Sequence, residues 1–147
     1  MAVRYPDFGE LEKTQVPPAE NAAVAIAVTT ADQSLGAKNI TVDLPHGATI
    51  TSVIAMARIT IMNDTANAQK IDLRLDVETV TLFDQSDVVG FGATDGESAV
   101  YVIAEDATGE VTANGQVVTL EAFETLSAAQ SVRFQAQYYL FIGYRMG

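Results

Sequence analysis

The chain has 147 residues, no cysteine, and a formal net charge of -11 from 19 acidic against 8 basic side chains. The missing thiols exclude disulfides, zinc–thiolate sites, iron–sulfur clusters and a cysteine nucleophile. The missing basic surplus argues against nucleic acid, which needs a cationic footprint to displace counterions, and against an acidic membrane surface. At 48% hydrophobic residues the length suits one domain with a real core. The acidity reads first as solubility, with attraction to a basic partner or to cations as the specific alternative.

Residues 1–20 hold three of the four prolines (Pro6, Pro17, Pro18) and scattered apolar side chains (Val3, Tyr5, Phe8, Leu11, Val16) at no strand or helix period. Proline lacks a ladder donor and biases its predecessor toward extended backbone, so this stretch is expected to be an arm and not a sheet strand. The arm either lies on a neighbouring copy or folds back over its own domain. Residues 1–14 lack the apolar core of a secretion signal, and no apolar run is long enough to cross a bilayer as a helix.

From residue 21 the chain reads as short strands separated by turns. Residues 23–29 are a compact apolar run, and 40–44 alternate before the turn at Pro45-His46-Gly47. Residues 50–62 place Val53, Ala55, Ala57, Ile59 and Ile61 in one phase, and 63–69 form a polar loop. Residues 70–77 alternate cleanly, with Ile71, Leu73, Leu75 and Val77 inward and Asp72, Arg74 and Asp76 outward. The phase then slips to Val80 and Leu82, which predicts a bulge or turn near Glu78-Thr79. A turn is expected over 84–87, a glycine-broken strand over 88–94 and another strand over 99–104. Asn114-Gly115 predicts a hairpin between 111–113 and 116–122. Residues 120–130 read as a crossover or a single helical turn.

The last segment, 132–146, alternates to the end. Val132, Phe134, Ala136, Tyr138, Leu140, Ile142, Tyr144 and Met146 share one face, while Tyr139, Phe141 and Gly143 interrupt the polar row on the other. A strand apolar on both faces needs a second covering layer, and another subunit could supply it. The pattern as a whole predicts an all-β protein: a single β-sandwich, jelly-roll or immunoglobulin-like, of about eight to nine short antiparallel strands. The sandwich would span 21–147, with the extended N-terminal arm over 1–20.

Chemistry-bearing residues are sparse. His46, the one histidine, sits in a turn with Asp43 and Ser52 as conceivable triad partners, but no nucleophile elbow is present and a solvated turn histidine is the better reading. Asp72 and Asp76 share a strand face with Arg74 between them, a pattern of solvated ion pairs more than of a glycosidase pair. Asp84, Ser86 and Asp87, or Asp95 and Glu97, offer hard oxygens to calcium without EF-hand spacing, so turn capping is favoured. Gly90-Phe91-Gly92 lacks the third glycine of a phosphate cradle and reads as a bent strand. Tyr138, Tyr139, Phe141 and Tyr144 could stack sugars or bases, but core and interface suit them better.

The extended arm, the short-strand sandwich and the ordered closing strand together resemble auxiliary (decoration or cement) capsid proteins of tailed viruses. Residues 40–48 (Ile-Thr-Val-Asp-Leu-Pro-His-Gly-Ala) and the closing strand are also similar to jelly-roll domains of virion fibres and spikes. The decoration proteins are small β-rich domains, commonly trimers, that clamp neighbouring capsid subunits. The resemblance implies a non-enzymatic virion-surface protein, made in the host cytoplasm, forming a homotrimer and docking on a major capsid protein or equivalent lattice. No cofactor, metal or catalytic residue is expected, and neither nucleic acid nor membrane as partner. The expected interface residues are Tyr5, Phe8, Leu11, Val16, Tyr139 and Phe141. The competing function is a carbohydrate-binding or receptor-binding module at a fibre or spike tip.

Overall fold

A computed structural model describes residues 13–15, 20–21 and 25–146, which hold ten strands and no helix. The strands are β1 (Lys13–Gln15), β2 (Glu20–Asn21), β3 (Ala25–Ala27), β4 (Gln33–Thr41), β5 (Ala48–Asn63), β6 (Gln69–Val77), β7 (Val80–Phe91), β8 (Ser98–Asp106), β9 (Val117–Leu126) and β10 (Val132–Met146). One sheet has β8, β5 and β10 side by side, with β1, β2 and β3 all on the free edge of β10; the other runs β4-β9-β6-β7. The three short strands pair with residues 142–144, 137–138 and 132–134 of β10, so they act as one interrupted edge strand.

With the interrupted strand counted as one, eight strands fall in the orders 1-8-3-6 and 2-7-4-5, every pair antiparallel. Most successive strands change sheet, as in a jelly roll; an immunoglobulin sandwich keeps its first two strands together. The all-β sandwich is as the alternation predicts, and strand order selects the jelly roll.

The core lies where the two inner faces meet. Val53, Ala55, Ala57, Ile59 and Ile61 from β5, Ile71, Leu73, Leu75 and Val77 from β6, and Val132 to Ile142 at every second position of β10 are all buried. A period of two puts each set on one face, and excluding that apolar surface from water drives the sheets together. Past Gly143 a register shift in the β5–β10 ladder ends the pattern, and Met146 is exposed.

Four local expectations are corrected. Lys13–Gln15 and Glu20–Asn21 join the ladder of β10, because that strand offers an open edge there; Pro17 and Pro18 lie outside the described residues, as do 1–12. Residues 84–87 belong to β7, which bulges between Gln85 and Val89. Asn114-Gly115 does make a turn, with the Gln116 amide donating to the Ala113 carbonyl, but 111–113 is not a strand. The Asn114 amide group instead docks on Leu44, accepting from its N–H at 2.8 Å and donating to its carbonyl at 2.9 Å. Residues 120–126 continue β9, and no helical turn follows.

The slip at Glu78-Thr79 is a two-residue hairpin turn with φ of 51° and 66°, where Val77 faces Val80. Left-handed backbone at both centre positions matches strand twist but is strained for residues with a Cβ, most of all for β-branched threonine. Glu78 ties the turn to β9, its amide donating to the Thr119 carbonyl and its carboxylate accepting from the Thr119 N–H.

Candidate intersubunit face

The two sheets differ on their outer faces. On the four-stranded sheet the polar row closes on itself: the Arg74 guanidinium lies 3.9 Å above the Phe123 ring and reaches Asp32 at 3.1 Å and Asp76 at 3.4 Å. Asp72 accepts the Asp87 N–H, and Asp76 accepts the Thr81 hydroxyl. A shallow pocket of about 90 Å³ bounded by Asp32, Asp72, Asp84 and Phe123 remains between them. Phe123, the one aromatic outward on β9, is thus covered by its own sheet.

The outer face of the six-stranded sheet has no such cover among the described residues, which contribute only two layers. Cross-strand register arranges it as a grid over β10, β5 and β8: Phe141, Ile54 and Asp106; Tyr139, Met56 and Ala104; Gln137, Arg58 and Val102; Gln135, Thr60 and Val100; Arg133, Met62 and Ser98. Ile54, Met62, Val100 and Val102 are among the exposed large apolar side chains of the molecule, the two valines at about half exposure. The Tyr139 and Phe141 rings stack with centroids 6.1 Å apart and 14° between planes, and the Tyr139 hydroxyl donates to Gln137. Two depressions meet at Thr60 and Gln135, one against Met62 and Phe134, the other of about 180 Å³ beside Arg58 and Gln137. The face is mixed: apolar side chains gather at Phe141, Tyr139, Ile54 and Met56 and along Val100 and Val102, with Gln137, Arg58, Gln135 and Thr60 between them and Met62.

Of the expected interface residues, Tyr139 and Phe141 are brought together on this face, half-buried. Tyr5, Phe8, Leu11 and Val16 lie outside the described residues. Ile54, Met56, Val100, Val102 and Arg58 were not anticipated, though the signal was available: 54–56 and 99–104, like 138–142, are apolar in both phases.

The candidate chemical groups separate. His46 is exposed in the turn closed by the Ala48 N–H to the Pro45 carbonyl, and no hydrogen bond joins it to Asp43 or Ser52 among the described residues. Glu97 accepts the Gly92 N–H at 2.9 Å, a turn-capping role. Asp106 likewise caps its turn through Thr108, whose hydroxyl and amide hold the carboxyl below the usual range.

Glu124 is the exception that alternation conceals. It points inward from β9 between Ala122 and Leu126, is 1% exposed, and neither carboxyl oxygen has a hydrogen-bond partner. Burial, with the Asp32 charge adding to it, pushes its pKa up to about 7. It is therefore a neutral acid in the core at mildly acid pH.

These strand orders define a jelly roll. No protein-family model and no curated protein sequence matches the chain. Among solved structures it is similar to the infectious bursal disease virus VP2 subviral particle, with a TM-score of 0.54 at 14% identity over 90% of this chain and 33% of that one. The icosahedral particle of the same virus matches with a TM-score of 0.47 at 12% identity, over 92% of this chain and 36% of that one. The chain thus spans about a third of the viral protein's length and shares its fold. The likeness is to a viral-capsid jelly roll and does not single out the tailed-virus decoration proteins.

Proposed function

We propose that the chain is a non-enzymatic structural subunit of a virion shell, of the decoration or cement kind, stabilising the assembly through contacts between copies and through its N-terminal residues. The observation that carries this reading is the set of exposed apolar side chains on the outer face of the six-stranded sheet, Ile54, Met62, Val100 and Val102, beside the stacked Tyr139 and Phe141 rings. The capsid-like fold supports it. Weak contacts repeated through arms yield avidity without one large interface, and the surplus of negative charge keeps copies apart wherever surfaces do not match. A trimer is the stoichiometry we assign.

Light scattering and native mass spectrometry on the full chain test the assembly, and mass spectrometry of purified source virions tests the location. A stable trimer found in the particles is the expected result. A monomer at all concentrations, absent from particles, overturns the reading. The competing reading, a glycan-binding module, draws on the Tyr139–Phe141 pair. A glycan array on the wild-type chain and on Tyr139→Ser decides it, since specific binding lost in the variant would favour the sugar.

A further inference from the structure

We infer that β8 is a docking edge for a second copy of itself: two β8 strands pair antiparallel about a two-fold axis at Val102 and join two six-stranded sheets into one. This contact goes beyond the shell-subunit reading and does not rest on it. The hydrogen-bond phase of the β5–β8 ladder supplies the geometry. The Asn63 N–H donates to the Glu97 carbonyl and the Ala107 N–H to the Val53 carbonyl, each at 2.8 Å. Between them the register runs from Ser98 to Asp106 without a shift. Antiparallel partners alternate between bonded and unbonded pairs, so Ala99, Tyr101, Ile103 and Glu105 direct their backbone groups to β5. Ser98, Val100, Val102, Ala104 and Asp106 turn theirs off the edge, and all of these are exposed. No strand pairs with that edge among the described residues. β7, the neighbouring edge of the other sheet, meets β8 through the Phe83 and Tyr101 rings, with centroids 6.1 Å apart.

The other edges are blunted. β10 is lined by β1, β2 and β3. β4 breaks register between Ser34 and Ala37 and carries Lys38. β7 shifts register twice against β6 and holds Asp87 in left-handed backbone. β8 contains no proline, glycine, lysine or bulge. A straight edge of unpaired donors and acceptors is a template for another strand.

The strand is also self-complementary in one register. With Val102 on the axis, Val100 faces Ala104 of the second copy and Ser98 faces Asp106, all with outward backbone groups. Glu105 then faces Ala99, and the two copies of Glu105 stand about 20 Å apart along the strands. Val100, Val102 and Ala104 of both copies form one apolar strip, burying valines that are 51% and 50% exposed. A single strand pair covers far less than the roughly 1,600 Å² of a stable interface. The contact is therefore weak between free chains and gains strength where copies are held side by side.

The absence of native cysteine lets disulfides read the register. Full-length Val100→Cys and Ala104→Cys chains, mass-tagged differently, are mixed at high concentration and mildly oxidised. The mixed disulfide should exceed either homodimer about tenfold, because each position lies about 14 Å along the strand from its own copy and within disulfide reach of the other. Adding Val102→Lys to both chains sets like charges on the axis and should cut the mixed yield about tenfold, whereas Val102→Thr should leave it unchanged. Thermal melts show that both variants are folded. Disulfides in random proportion, or a mixed yield that a folded Val102→Lys chain does not lower, overturn the pairing. Random disulfides from a trimer found in virions sink the pairing alone. Register-specific disulfides from a chain absent from virions sink the shell reading alone.

Discussion

The Tyr138 hydroxyl crosses the core from one sheet to the other and donates to the Gly36 carbonyl at 2.6 Å. The register of β4 against β9 shifts between Ser34 and Ala37, and Gly36 adopts a φ of 103° in the gap. The same hydroxyl accepts the Ala122 N–H at 2.8 Å from the opposite lip of the gap. Two backbone groups that the broken ladder leaves unpaired are thus satisfied by one phenol, whose burial pushes its pKa up to about 12.

Tyr138→Phe keeps the ring and removes that bridge. Leaving two buried backbone groups unpaired should cost about 2–4 kcal/mol in urea unfolding. Tyr144→Phe, on a half-buried side chain past the register shift, should cost less than about 0.5 kcal/mol. Equal losses in the two variants would show the bridge to be energetically idle.

Glu124 predicts a pH dependence with a definite sign. Its folded pKa of about 7 lies above the ordinary 4.5. Between those values the unfolded chain has lost the proton and the folded one retains it, so stability falls as pH rises, and the loss saturates above the folded value. At about 1.4 kcal/mol per pH unit this amounts to roughly 3 kcal/mol between pH 4.5 and 8. Glu124→Gln should remove that part of the slope and be the more stable protein at pH 8, measured as the difference between two unfolding-versus-pH curves. Parallel curves would mean that the carboxyl finds a partner or water.

The β6–β7 turn yields two changes of opposite sign. Thr79→Gly relieves a left-handed threonine and should stabilise by about 1 kcal/mol after the entropy cost of glycine. Glu78→Ala removes the bond to the Thr119 amide and should destabilise by about 1 kcal/mol. Thermal melts of the two single variants are sufficient, and a loss in both would refute strain at Thr79.

Association and stability should come apart on the two outer faces. Tyr139→Ser with Phe141→Ser should abolish the proposed oligomer in light scattering while shifting the unfolding of the separated chain by no more than about 1 kcal/mol. Phe123→Ala strips the surface beneath Arg74 and should cost about 1–2 kcal/mol in stability, leaving the proposed oligomer unchanged. An oligomer that survives the double change points to another surface.

Much of this architecture is legible in the amino-acid order. The alternation in 53–61, 71–77 and 132–142 fixes strands and their buried faces, because a period of two can bury only one set of side chains. The double apolarity of 138–142 sets Tyr139 and Phe141 apart as aromatic side chains on the outer face of their sheet, where they stack. Where alternation is broken, local pattern misleads. Phe123 faces outward because Arg74, distant in sequence, shields it, and Glu124 faces inward, so 120–130 does not look like the strand it mostly is. Asn114-Gly115 turns the chain as its chemistry requires, yet its partner is Leu44, seventy positions away.

Sequence by itself determined the β class, the inward faces and the acidic, thiol-free surface, since each follows from a residue's own chemistry and that of its near neighbours. Only the tertiary structure decided strand order, the bridge from Tyr138 to Gly36, and the gathering of Ile54, Arg58, Val102, Tyr139 and Phe141 onto one face. Those depend on which strands lie side by side, and long-range pairing is set by the packing of the whole chain and not by any local preference.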